Sequence, residues 1–561
     1  MQKVYNILEK SSKLQTALLI IFASLLFILN IGSYPFIDGD ATFYGQIAEN
    51  MILHGDWLTL RFDHYDPSNY VDKPPLTMWI MAIMFKLFSF TEFAARIWHS
   101  ILSVASIWLT YLIAKRLFSH QVAILSGIIL TTSLQFFYQA REPLQDIPLA
   151  LCFLLIFYFF IIFLEAKRFR YFYYICIVSG ISVMIKGPVG IVIPGTIMVI
   201  TFILGKYYKQ FTIKEYLIHI LFGLGVFLLL SLPWHIYEYL KEGPQFIDFY
   251  FGSRTINRYL GSQGFPGQAA PAYLIYIFLG MLPWSPFLFN TFHYALKIKL
   301  KTKQISWLLP IVWIVGTFFF FAISPGDIFM RYILPILPAV AIIVAKYLYD
   351  NTYSSKTKKT FKLPTILYAT AGFSLLTITI ALNVFQKRLF NPATIWKDQV
   401  YLEILTPFLL CFSIGFLITS YCFIKFKNNA RIGLYVLICF TALAYFIFIQ
   451  QLNSNIIRVL PQSQIAGYIN NNFQKEVIVK YTPKGTDKGY TMLSFYLDSH
   501  LKRVLNEDNL KALLLDNQEV IVIVEDEKYL SEKLAFSLIE NKRFNKWVVY
   551  KKEITAKKSL Y

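Results

Sequence analysis

The chain has 561 residues, 56% hydrophobic, 18% aromatic and only 15% charged, with a mean hydropathy of +0.51. Those values exclude an ordinary soluble domain and point to a protein solvated largely by lipid. The formal net charge of +20 does not indicate nucleic acid, because Lys and Arg fall in short clusters between apolar runs; such clusters orient membrane loops and secondarily attract anionic membrane lipids.

Runs of about 17 to 25 apolar residues predict thirteen spans, near 14–34, 93–114, 121–138, 144–164, 171–186, 188–204, 216–240, 271–290, 305–323, 331–349, 364–384, 402–424 and 430–450. The first run is too long for a signal-peptide core and lacks a small-residue cleavage site, so it reads as a retained span. The run 75–90 is short, opens with two prolines and carries Lys86. Charge places it in the interface rather than across the membrane. With 75–90 on the surface, the clusters Lys3/Lys10/Lys13, Lys115/Arg116, Lys167/Arg168/Arg170, Lys206/Lys209/Lys214, Lys297–Lys303, Lys356–Lys362 and Lys425/Lys427/Arg431 share one face, which the positive-inside rule calls cytoplasmic. The five cysteines lie in apolar runs without metal-ligand spacing and read as packing residues.

The opposite, extracytoplasmic face then collects the unusual residues, in loops 35–92 and 241–270 and at several span ends. In "DGDATFYGQIAENMILHGDW", Asp40, Tyr44, Ile47, Ala48 and Met51 share one helical face and Gln46, Glu49 and Asn50 another, the pattern of an interfacial amphipathic helix. Asp38 or Asp40 equally serves as its N-cap. In "YVDKPPLTMW", the prolines hold Lys73, beside Asp72, in extended backbone just before a helix N-terminus, where free N–H groups attract a phosphate; a snorkelling Lys73 paired with Asp72 is the alternative.

"QAREPLQDIP" brings Arg141, Glu142 and Asp146 to a span boundary, either as an Arg141–Asp146 ion pair or as substrate contacts. Lys186 tips the tight turn of "IKGPVGIVIP", as a membrane anchor or a ligand group. "FGSRTINRYL" spaces Arg254 and Arg258 at i,i+4 in a loop whose Gly and Pro residues suit a mobile segment, fitting capture of an anionic headgroup. "FMRYILPILP" adds Arg331 and Tyr332, near Asp327, at the start of another span, where Tyr is also an ordinary interfacial anchor. From about 451 to 561 the composition turns polar, with strand-like "VIVKYT", "EVIVIV" and "WVVYKK" and a helical pattern over 527–541, which predicts a small α/β extracytoplasmic domain behind a membrane region of residues 1–450.

The succession of Asp40 and its amphipathic helix, "DKPPLTMW", "KGPVG", "LPWHIY", "LPWSPF" and "RYILPILP" resembles the GT-C family of bacterial aminoarabinose transferases and the related protein O-mannosyltransferases. The resemblance implies a polytopic α-helical membrane enzyme of GT-C type in the bacterial inner membrane, with its active site outside the cytoplasm. It implies transfer of a sugar from a polyprenyl phosphate donor to a glycolipid or protein acceptor. It carries the leading catalytic acid onto Asp40 and the "KPP" lysine onto Lys73, with Asp72 the adjacent acid, and gives roles to Asp146, Arg258 and Tyr332, the last at the carrier phosphate. The family commonly reads Asp-Glu-Ala at the first motif, whereas Asp40 is followed by Ala41 and Thr42. A metal-binding relative uses an acid and a histidine; position 255, where that histidine would stand, is threonine, which speaks against a divalent metal, and no other cofactor is implied. The expected reaction is inverting glycosyl transfer, with a transporter or flippase of lipid-linked sugars as the rival.

Overall fold

The computed structural model describes residues 11–36, 39–62, 73–210, 213–257, 269–299, 304–324, 328–352, 361–389, 395–426, 429–459, 462–473, 476–481, 493, 495–497, 501–504, 507–516, 519–524, 538–544 and 547–552. Helices run in chain order as α1 (Ser12–Ile28), α2 (Gly39–His54), α3 (Leu76–Phe88), α4 (Glu92–Leu117), α5 (His120–Thr131), α6 (Leu134–Gln139), α7 (Asp146–Ala166), α8 (Arg170–Lys186), α9 (Val189–Leu204) and α10 (Ile213–Glu242). A helical turn, Pro244–Ile247, and a π-helical segment, Asp248–Asn257, follow, then α11 (Ala270–Gly280), α12 (Leu288–Lys299), α13 (Ile305–Ile323), the 3-10 segment Met330–Ile336 and α14 (Leu337–Thr352). The last three long helices are α15 (Lys362–Leu389), α16 (Ile395–Lys425) and α17 (Arg431–Val459).

Each predicted apolar run is helical, but the runs differ in length. Among the described residues, eight helices are long and apolar enough to cross a membrane, and the pair Ala270–Gly280 and Ser285–Ala295, bent by 118°, makes a ninth. The other four runs form helices of 17 (α1), 12 (α5), 17 (α8) and 16 (α9) residues, so the count of thirteen rests on elements near or below the length of one crossing. The run 121–138 breaks at Thr132 and Ser133 into α5 and α6. Helices α10 and α15 turn most of their apolar surface outward, as lipid-facing helices do.

Helix α3, which the charge argument assigns to the interface, is short. Its 13 residues reach about 20 Å, short of a crossing, and Met78, Met81, Ala82 and Phe85 bury against α2 and the C-terminal unit instead. Lys86 folds over the Trp57 ring at 4.9 Å. Helix α2 buries Tyr44, Ile47, Ala48 and Met51 as its pattern predicts. Asn50, placed on the polar face by spacing, is instead buried, its Nδ2 donating to the carbonyls of Arg61 (3.1 Å) and Phe62 (2.8 Å), because the chain after α2 folds back over it.

Helix α17 continues to Val459, past the boundary expected at 450. Beyond it, α18 (Gln462–Asn472) leads into β1 (Val477–Tyr481), β2 (Leu501–Val504), α19 (Glu507–Asp516), β3 (Val520–Val524), β4 (Leu538–Phe544) and β5 (Trp547–Lys552). The sheet order is β2-β1-β3-β5-β4, with β1 parallel to β2 and β3, and β5 antiparallel to β3 and β4. Side chains alternate between its faces: Ile478, Ile521, Ile523 and Val549 join the cluster of α2, α3 and α18, while Val479, Val520, Val522 and Val548 bury Leu510 and Leu514 of α19. The three expected strands are present. Of the helix expected over 527–541, residues 538–541 belong instead to β4, and 527–537 lie outside the described residues.

Candidate functional site

The two segments that deliver carboxylates to one end of the bundle are tied together by Arg96 of α4. Its buried guanidinium donates to the carbonyls of Ile31 (2.8 Å), Tyr34 (2.7 Å) and Pro35 (3.1 Å), just ahead of α2, and stands 3.6 Å from the Glu142 carboxylate, just ahead of α7. Both terminal nitrogens of this buried charge are paired, while Nε has no hydrogen bond, and the pairing fixes both loops. Asp40 follows as the second residue of α2, and Asp146 opens α7, positions where helix dipoles favour a carboxylate.

Two cations meet these acids, and a third meets Tyr44 one turn along α2. Lys186, the last residue of α8, brings Nζ to 2.5 Å from Asp146 Oδ1 and 5.1 Å from the Tyr332 ring centre. Arg331, in the 3-10 segment, places Nη2 2.5 Å from Asp40 Oδ2 and Nε 4.0 Å from Asp146 Oδ2. Lys73 donates to the Tyr44 hydroxyl (3.1 Å) and lies over the Tyr44 and Phe43 rings at 4.7 and 5.3 Å. The Tyr44 hydroxyl donates to Gln145 Oε1 (3.4 Å), and Gln145 Nε2 donates to Thr77 Oγ1 (3.4 Å).

Two chains of contact thus run side by side, Lys73–Tyr44–Gln145–Thr77 and Lys186–Asp146–Arg331–Asp40. They join through consecutive Gln145 and Asp146, and through Asp40 and Tyr44 at i,i+4 on α2. Among the described residues, three cations and two carboxylates gather here. Exposure separates the acids: the Asp146 side chain is 4% exposed and contacts both Lys186 and Arg331, whereas that of Asp40 is 39% exposed.

Of the residues singled out in the sequence, Asp40, Tyr44, Lys73, Asp146, Lys186, Arg331 and Tyr332 therefore share one end of the bundle. Arg141 does not join them. It is buried and donates to the carbonyls of Leu26 (2.9 Å), Phe27 (3.3 Å) and Leu29 (2.8 Å), satisfying the C-terminal carbonyls of α1, and the expected pairing with Asp146 is replaced by Lys186–Asp146. Arg254 lies in the π-helical segment, with its side chain outside the described residues, as are Asp38, Asp72, Arg258 and Asp327. Gln145 and Thr77 are additions that charge-based reading passes over; an uncharged polar residue next to a helix-opening Asp was the available signal. Among the described residues, no three His, Cys, Asp or Glu side chains gather as a metal site requires.

Residues 72–237 match the family described as dolichyl-phosphate-mannose-protein mannosyltransferase, a stretch that holds Lys73, Asp146 and Lys186. An uncharacterized protein of Aquifex aeolicus (strain VF5) is 31% identical over 62% of this chain and 66% of its own length. The undecaprenyl phosphate-alpha-4-amino-4-deoxy-L-arabinose arabinosyl transferase 2 of Proteus mirabilis (strain HI4320) is 27% identical over 62% of each chain. The chain thus spans about two thirds or less of the length of these relatives. The crystal structure of ArnT from Cupriavidus metallidurans bound to undecaprenyl phosphate superposes with a TM-score of 0.78 at 19% identity, covering 96% of this chain and 98% of that one. The chain thus shares the fold of this ArnT structure, and its long apolar helices are those of a multi-pass membrane protein.

Proposed function

We propose that the protein transfers a sugar, with inversion, from a polyprenyl phosphate donor to an envelope acceptor, a lipid A-like glycolipid or a protein, at a site on the extracytoplasmic face. The observation that carries this reading is the cation-rich cluster at one end of an apolar helical bundle, where a phosphate entering from the bilayer would find Lys73, Lys186 and Arg331 already oriented by carboxylates and rings. In the transfer step the bond between the anomeric carbon and the phosphate oxygen breaks, its electron pair stays on the carrier phosphate, and the acceptor oxygen bonds to the opposite face of that carbon. The charge left on the phosphate needs cationic or hydroxyl donors, worth a few kcal/mol each in a partly dehydrated site. Lys73, Tyr332 and Arg258 fill that role, with Asp72 beside Lys73. The acceptor's proton passes to Asp40; where the acceptor is itself a phosphate, no base is needed and Asp40 orients it.

A transporter of lipid-linked sugars would use the same donors, but such proteins gather polar residues near the bilayer midplane on broken helices, whereas the charges of the cluster lie at helix ends. Purified protein given a labelled polyprenyl phosphate sugar and an acceptor extract tests the reading. Label joined covalently to the acceptor supports transfer; intact donor moved across a liposome bilayer without a new product contradicts it.

A further inference from the structure

Helix α2 carries Gly45 directly after Tyr44, in the middle of a buried helical face. Glycine is disfavoured inside helices relative to alanine, so its position asks for a cause. The cause is a ring: a Cβ at Gly45 would lie 2.7 Å from Cε2 and 2.9 Å from Cδ2 of Phe495, which belongs to the C-terminal unit. The same ring meets Phe36 edge-on at 5.0 Å and Phe85 of α3 at 6.1 Å. The next residue, Tyr496, accepts the Phe36 N–H on its hydroxyl at 3.2 Å, and its carbonyl accepts from Asn470 Nδ2 of α18 at 3.0 Å. Burial, and then the neighbouring Glu92 carboxylate, push the Tyr496 phenol well above its ordinary range, so it remains a neutral hydroxyl. Two adjacent residues of the C-terminal unit thus grip the chain on either side of Asp40, at Phe36 before it and at Gly45 after it.

We propose that Phe495 and Tyr496 are positioning residues for the transfer site: through them the C-terminal domain sets where α2 begins and how deeply it sits, and so where Asp40 and Tyr44 stand relative to Lys73 and Arg331. This rests on the function proposed above. Neither residue touches the reacting groups, and their influence passes through the backbone of α2. Misplacing a catalytic group by about 1 Å costs on the order of 100-fold in rate, and the methyl of an alanine at Gly45 presses on a ring already packed against Phe36 and Phe85.

The test is a double-variant cycle on the full-length protein, reading kcat, donor KM and melting temperature. Gly45→Ala is expected to lower kcat by on the order of 10- to 100-fold, with a smaller change in donor KM. Gly45→Ala combined with Phe495→Leu, which removes the ring edge, is expected to recover most of that loss. Tyr496→Phe, which keeps the ring and removes the acceptor of the Phe36 N–H, should lower kcat in the same direction with the protein still folded. Wild-type kcat in Gly45→Ala, no recovery in the double variant, or losses confined to melting temperature would overturn the inference while leaving wild-type transfer intact. Absence of transfer by the wild type would instead overturn the functional reading, and this inference with it.

Discussion

The two ends of the helical bundle use the same charged residue types in different ways. At the end away from the site, Arg116 pairs with Glu165 at 2.6 Å with both side chains well exposed, and Lys346 pairs with Asp350 one helical turn on. Exposed or local pairs of this kind are worth about 0 to 1 kcal/mol. At the site end the pairs are more buried: Lys186 and Asp146 are 22% and 4% exposed and Arg331 18%, against 38% and 44% for Arg116 and Glu165. Burial there weakens solvent screening and raises the weight of each pair, against the entropy of holding long side chains still.

The sharpest way to break the comparison is Asp40→Asn. We expect turnover to fall on the order of 100-fold or more with expression and melting temperature nearly normal; near-wild-type turnover would remove Asp40 from the chemistry. Lys73→Ala should next raise donor KM on the order of 10- to 100-fold, the equivalent of one lost charge-assisted donor, and a lower kcat at unchanged KM would assign Lys73 another role. Asp146→Asn, which leaves Lys186 without its buried counter-charge, should destabilise the protein by about 1–3 kcal/mol and lower activity together with stability, read by thermal unfolding beside the transfer assay. Arg116→Ala marks the other end of the scale: a change within about 0.5 kcal/mol and unaltered transfer. A large loss of transfer there would erase the distinction between the two ends.

Much of this arrangement was legible before any coordinates. The parity of basic clusters grouped Asp40, Lys73, Asp146, Lys186 and Arg331, which the structure brings to one end of the bundle, and it assigned "PPLTMWIMAIMFKLF", which holds the 13-residue α3, to the interface. Parity cannot say who pairs with whom. Arg141 stands five positions before Asp146 in sequence, yet the turn between α6 and α7 aims its guanidinium back at the carbonyls closing α1, and the lysine that meets Asp146 arrives from the far end of α8. Gln145 and Thr77 carry no charge and so left no mark on a charge-based reading. The start of strand β4, residues 538–541, fell inside the expected helical pattern; β4 lies at the sheet edge, where charged side chains are tolerated and help prevent further pairing. The grip of Phe495 on Gly45 spans 450 positions and leaves only a glycine in an unexpected place as its trace.

The central claim is that the cluster at this end of the bundle holds the carrier phosphate. It is tested most directly by titrating purified wild-type, Lys73→Ala and Arg116→Ala proteins with undecaprenyl phosphate and measuring binding. The account predicts saturable binding by the wild type and by Arg116→Ala, and binding weakened on the order of tenfold or more in Lys73→Ala. Equal binding by all three proteins would contradict it.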